Sequence, residues 1–262
     1  KYCLIERSIF ICQGRTIMKK FLLCVMFAML SSASIAAPEN IKNLPTTNTT
    51  SQISNSLTAN ERKVREATVR VVTQNGHGTG GLVKYKDLTL VLTAHHVADG
   101  SLGQNYLLTT DTEQKWGILI YKDPLNDMSL LHVPSVFRYS EPMKWKPRTE
   151  LIDVGQDITY SGFPSWHSLL SFRGHVAGFE THPEAGRQII LQTYGWFGCS
   201  GAVIYDPDGK AIGVLWAVDV ERSPDFQVQE NMIWVSPIQN LNIDLALTTL
   251  CNSLPEKPRA CK

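Results

Sequence analysis

Across 262 residues, 25 basic side chains stand against 24 acidic ones, for a formal charge of +1. That balance excludes the basic surplus of a nucleic-acid or anionic-membrane binder, so neither partner is expected beyond an export signal. The length is ample for one large β domain or two small ones.

Residues 1–17 read as upstream sequence outside the fold. Met18 opens an export signal over 18–36: Lys19 and Lys20 form its charged end, Phe21 to Leu30 its uncharged apolar run, and Ser34-Ile35-Ala36 a small-x-small cleavage site. The run is short of the ~20 residues that span a bilayer, and the other reading of it is an uncleaved anchor. The chain is therefore expected to be exported, to the periplasm or beyond the cell. Thr, Asn and Ser with Pro38 and Pro45 make residues 37–60 a flexible lead-in, at whose end Asn60 to Glu66 has the pattern of a short capped helix.

From Thr68 the texture changes to short β-type runs between turn residues: 68–73, 80–85, 88–93, 106–110, 117–121 and 128–133. Phe137 to Glu150, with Pro142 and Pro147, reads as a linker. A second set follows at 157–161, 175–180, 188–193, 202–205, 211–218 and 232–235, with Asp206-Pro207-Asp208-Gly209 as a tight turn. Such a pattern predicts an all-β protein of two six-stranded antiparallel barrels, over 61–145 and 146–250. A closing helix at 240–250 and a tail at 251–262 complete it. In an oxidising compartment Cys251 and Cys261 can close a small loop, worth roughly 3 kcal/mol on the chain-entropy model, leaving Cys199 single.

The stretch Gly198-Cys199-Ser200-Gly201-Ala202 carries the chemistry. Small neighbours admit a substrate carbonyl close to the Ser200 hydroxyl, and Gly198 can adopt angles that aim successive N–H groups the same way, as an oxyanion hole requires. The plainer reading is a glycine-rich hairpin with a solvent-facing serine. A serine needs a base to take its proton, and His95 and His96 end the apolar run Leu90 to Thr93. The imidazole in turn needs an acid to orient it. Asp127 precedes the apolar run Met128 to Leu131, with Asp123 as a fallback whose Pro-bounded setting suits a turn.

Thr93-Ala94-His95-His96-Val97, Asp123 to Leu131 and Gln192 to Ala202 together resemble the trypsin-like serine peptidases of the chymotrypsin fold, and within them the bacterial Deg/HtrA-type protease domain. Gly78-Thr79-Gly80-Gly81, Gly162-Phe163-Pro164 and Asp208 to Gly213 add to the likeness, which covers about residues 66–242. The resemblance implies His96 as base, Asp127 as its orienting acid and Ser200 as nucleophile, with the Gly198 and Ser200 amides holding the oxyanion in the cleft between barrels. It implies a serine endopeptidase acting on protein or peptide through an acyl-enzyme; a catalytically silent, protein-binding relative is the alternative. Tyr194, six before the nucleophile, stands where relatives have the pocket floor. Not being acidic, it argues against cleavage after Lys or Arg. Trp216 would line the pocket wall, and for both aromatics ordinary core packing is the alternative.

The chain departs from its digestive relatives at Cys199, where they carry an aspartate that pairs with a freed N-terminus, so activation by propeptide cleavage is not expected. A Cys199 thiol nucleophile is a third reading. No PDZ-like segment follows the second half of this sequence, so cage-forming behaviour is not implied. His77, His132, His167, His175 and His182 show no ligand spacing, and neither metal nor cofactor is expected. Oligomeric state is left open.

Overall fold

The computed structural model describes residues 56–221, 227–253 and 261; the export signal expected over 18–36 and the segment 37–55 lie outside the described residues. Helix α1 (Ala59–Glu66) comes first. Its cap is Thr58, not Asn60: the Thr58 hydroxyl accepts from Glu61 N–H at 3.2 Å, and the Glu61 carboxylate accepts from Thr58 N–H at 2.6 Å. Asn60 is instead spent on the Pro207 carbonyl, to which its Nδ2 donates at 2.6 Å.

Six strands follow: β1 (Thr68–Thr73), β2 (Gly76–Tyr85), β3 (Leu88–Thr93), β4 (Asn105–Thr109), β5 (Gln114–Asp123) and β6 (Met128–His132). They pair in the order β1-β4-β5-β6-β3-β2, and β1 also pairs with β2, so the ring closes. Every residue of β3 and β6 is buried, which suits strands made of Leu, Val, Met and Thr with the barrel on one face and neighbouring elements on the other. The expected linker contributes a short strand, β7 (Met143–Lys144), which adds to β2 in parallel.

The second set is β8 (Asp157–Gly162), β9 (Leu170–His182), β10 (Gly186–Gln192), β11 (Val203–Tyr205), β12 (Ala211–Glu221) and β13 (Gln227–Pro237). It closes as a barrel in the order β10-β13-β12-β11-β8-β9. Strands β9, β12 and β13 run past the expected bounds, because pairs such as Gly162↔Leu170 and Glu221↔Gln227 extend the ladders beyond the apolar runs.

A 3₁₀ turn at Ile238–Asn240 leads into α2 (Ile243–Ser253), whose Ala246, Leu247 and Leu250 pack into the core of the first barrel. Cys251 and Cys261 form a disulfide. Helix α1 also reaches across: Val64 packs into the first core, the Arg173 guanidinium of β9 donates to both Glu61 carboxylate oxygens, and Arg65 Nη1 donates to Ser171 Oγ at 3.1 Å.

Candidate active site

Strand register brings His96 to Asp127. Antiparallel β3 and β6 pair with Thr93 opposite Ser129, so the loop leaving β3 and the turn entering β6 share one edge of the barrel. The Asp127 carboxylate grips His96 twice, accepting from its backbone N–H at 2.8 Å and from ring Nδ1 at 2.6 Å. The fixed backbone contact sets where the carboxylate lies, and the ring contact then sets the tautomer: Nδ1 carries the proton and Nε2 is left with a lone pair. Burial pushes the Asp127 carboxyl up, yet the hydrogen bonds and charge of His96 outweigh it and hold it below its ordinary value. Asp127 is thus ionised beside an imidazole that keeps 39% of its side-chain surface exposed.

The turn carrying Asp127 is built by its neighbours. Asp123 is taken up within it, accepting from the N–H groups of Leu125 and Asn126 at 3.0 and 3.1 Å and from Asn126 Nδ2 at 2.7 Å. Asp127 itself sits at φ 49°, a left-handed conformation that Asp and Asn tolerate better than most residues. From the second half, Ser236 Oγ donates to the Asn126 carbonyl at 2.6 Å and Asn240 Nδ2 to Asn126 Oδ1 at 2.8 Å. Neither Ser236 nor Asn240 is singled out by the sequence; their part is a long-range one with no local signature. His95, 8% exposed, faces the other way, with Nδ1 at 3.4 Å from Ser129 Oγ.

Ser200 is delivered by the second barrel. Gly201 N–H donates to the Leu215 carbonyl at 2.7 Å, and Leu215 N–H to the Ala202 carbonyl at 2.9 Å, laying the turn along β12. The Ser200 carbonyl accepts from Thr79 N–H of β2 at 2.8 Å, which ties the turn to the first barrel near the loop of His96. Gly198 has φ 97°, and a Cβ there would run into the Phe163 carbonyl and His77 Nε2, so only glycine fits. The N–H groups of Cys199, Gly201 and Ala202 all donate within the protein. Those of Gly198 and Ser200 have no acceptor among the described residues, which leaves them free to donate to a ligand. No hydrogen bond joins Ser200 Oγ to His96 Nε2 among the described residues; in ligand-free sites such contacts are commonly long and tighten with substrate.

Tyr194 is 38% exposed and stacks on Phe172 at 5.5 Å, while its carbonyl accepts from the Tyr160 hydroxyl. Trp216 is anchored by its indole N–H to Gln188 Oε1 at 3.1 Å and meets Trp234 edge-on at 6.0 Å and His182 at 5.7 Å. Cys199 is fully buried, and burial pushes its thiol up to about 11. A buried thiol that stays protonated at neutral pH is a poor nucleophile, which weighs against the cysteine reading.

Two closed antiparallel barrels, with a histidine–carboxylate pair on one and a glycine-flanked serine on the other, define the class of two-barrel serine peptidases. The chain belongs to the trypsin-like peptidase domain family, whose profile matches residues 78–214. It is similar to the pro-apoptotic serine protease NMA111 of Candida glabrata, 24% identical over 159 residues, and to that of Saccharomyces cerevisiae strain S288c, 27% identical over 161 residues. Each match takes in 56% of this chain but spans only 16% of the relative's length. Among solved structures it is similar to the inactive form of a serine-to-alanine variant of Rv3671c from M. tuberculosis H37Rv, with TM-score 0.57, 16% identity, and coverage of 76% of this chain and 93% of that one. The active form of the Rv3671c protease gives TM-score 0.57 at 16% identity, covering 78% and 88%. Both likenesses speak to the fold.

Proposed function

We propose that the chain is an exported serine endopeptidase that cleaves protein or peptide substrates through an acyl-enzyme on Ser200. The observation that carries this reading is the pair of unengaged amides, Gly198 and Ser200, on the turn that also bears the serine. Ser200 Oγ attacks the scissile carbonyl as His96 Nε2 takes its proton, and the oxyanion accepts from those two amides. Asp127 keeps Nδ1 protonated and balances the imidazolium. Collapse of the tetrahedral species expels the amine, which leaves with the proton from His96. Water then attacks the acyl-enzyme by the same route and frees Ser200. Tyr194, uncharged at the expected pocket floor, supports a substrate that is not Lys or Arg at the cleaved position. The Cys251–Cys261 disulfide supports an oxidising, extracytoplasmic setting.

The test is covalent labelling of the chain from residue 37 onward with a fluorophosphonate probe, located by peptide mass spectrometry. Heat-denatured, Ser200→Ala and His96→Ala samples run alongside. A label on Ser200 that needs both the native fold and His96 is the expected result. Well-folded protein that takes no label would overturn the peptidase reading and leave a binding role for the cleft.

A further inference from the structure

Around the nucleophile, every backbone carbonyl from Phe197 to Ser200 is tethered. Phe197 C=O accepts from Ser165 N–H at 2.7 Å and Cys199 C=O from Ala202 N–H at 2.9 Å. The remaining two belong to one residue: Gly198 C=O accepts from Thr79 Oγ1 at 2.7 Å, and Ser200 C=O from Thr79 N–H at 2.8 Å. In a planar trans peptide a carbonyl and the N–H of the next residue point oppositely, so the Phe197 carbonyl sets the Gly198 amide, the Cys199 carbonyl sets the Ser200 amide, and the two Thr79-held peptides flank the latter.

Thr79 engages its hydroxyl, its N–H and its carbonyl at this junction. Its hydroxyl also accepts from Phe163 N–H at 3.1 Å, and its own carbonyl accepts from Thr93 Oγ1 at 2.7 Å, three residues before His96. It is fully buried, and Gly201, at φ 93°, has no room for a Cβ against the Thr79 carbonyl and Thr93 Oγ1. A single β2 residue thereby links the base segment, the nucleophile turn and the Phe163-Pro164 segment that follows β8.

We infer that Thr79 is a positioning residue for the oxyanion hole: its hydroxyl holds the Gly198–Cys199 peptide and its N–H the Ser200–Gly201 peptide, so the Cys199–Ser200 peptide between them, which bears the Ser200 amide, is held from both sides. It touches no reacting atom and acts through these two flanking peptides. A valine at this site keeps the shape and the backbone contacts but loses the hydroxyl, freeing the Gly198 carbonyl to turn and leaving it without its donor. The inference rests on the proposed serine mechanism for its kinetic consequence, but its structural content stands apart from it.

The experiment compares wild type, Thr79→Val and Thr79→Ser in fluorophosphonate labelling rate and in p-nitrophenyl acetate hydrolysis, beside melting curves. Deleting an oxyanion donor outright costs about 100- to 1000-fold, so misaiming one is expected to lower kcat and the labelling rate by about 10- to 100-fold, with KM changed less than about twofold. Thr79→Ser restores both, since its hydroxyl can reach the same carbonyl. A Thr79→Val enzyme that melts lower yet turns over like wild type would reduce Thr79 to a packing role and sink the inference. If Thr79→Val does not fold, Thr79→Cys, with a weak donor of similar size, takes its place with a smaller expected loss.

Should wild type itself fail to label, the serine mechanism falls, and the backbone amide resonances of Gly198 and Ser200 decide the present point. They are expected to move in Thr79→Val and not in Thr79→Ser. Resonances that stay put in both variants would overturn the inference.

Discussion

The two barrels use the same topology for different ends. In the first, β3 and β6 bury every residue, and the core gathers Leu90, Leu92, Leu108, Leu119, Leu130 and Leu131 with almost no exposure. In the second, β9 is buried fully only at Val176 along its 13 residues, and its neighbourhood carries exposed Trp166, Tyr194 and Phe197. The first barrel presents a histidine and a carboxylate whose geometry must not drift, and dense packing holds such a pair still. The second presents the turn of Ser200 beside a half-exposed aromatic surface. Dense packing and exposed aromatics are divided between the barrels.

Removing the carboxylate charge is the strongest test of the first barrel's side of that contrast. Asp127→Asn is expected to lower kcat/KM by about 10⁴-fold, by analogy with other triads, because the amide cannot hold the same tautomer. Asparagine also tolerates φ 49°, so the fold should survive; circular dichroism beside the kinetics checks this. A rate within tenfold of wild type would mean that the His96–Asp127 pair is structural.

Packing gives the next effect. Leu92→Ala, fully buried in the first barrel, is expected to cost about 2–5 kcal/mol in urea unfolding. Val228→Ala, in the overhanging end of β13 opposite Val220, is expected to cost about 0.2–1 kcal/mol. Equal losses would erase the contrast between the barrels.

The smallest effect is a pH dependence at the seam. The hydrogen bond from Arg173 pulls the Glu61 carboxyl down from its ordinary 4.5 to about 2, against the opposing push of burial. A folded value below the unfolded one means that the contribution is complete above about 4.5 and fades as pH falls toward about 2. Wild type should therefore lose more melting temperature on acidification than Glu61→Gln does, and the two should converge at the acid end. Parallel curves would remove the Glu61–Arg173 pair from the account of stability.

Much of this was legible in residue order. Runs such as Leu88 to Thr93 declare buried strands; in the fold His96 meets Asp127, and Gly201 lies against Thr93 and Ala94. What the sequence hid is what pairing and distance create. The first residues of β9, Leu170 to Arg173, alternate apolar and polar over only four positions, and pairing with β8 is what extends the strand through them. Met143 and Lys144 are a strand only because β2 offers an edge. Thr79 and Gly198 lie 119 positions apart, and nothing local in either announces the other. Asn60 looked like a cap because its polarity fits one; Thr58 won because Glu61 stands three residues on to complete the reciprocal pair.

The α1 contacts with β9 also bear on the order in which the molecule assembles. Glu61 and Arg173 are separated by 112 positions, and Arg65 and Ser171 by 106. Chain that far apart is brought together by the strands between, so these bonds are expected to close late in folding, which folding and unfolding rates of Glu61→Gln would check. Interactions absent from the transition state leave the folding rate almost unchanged and act on unfolding. On that expectation helix α1 works as a clasp: it does little to hasten the protein into shape, and it lengthens the time for which the finished molecule persists.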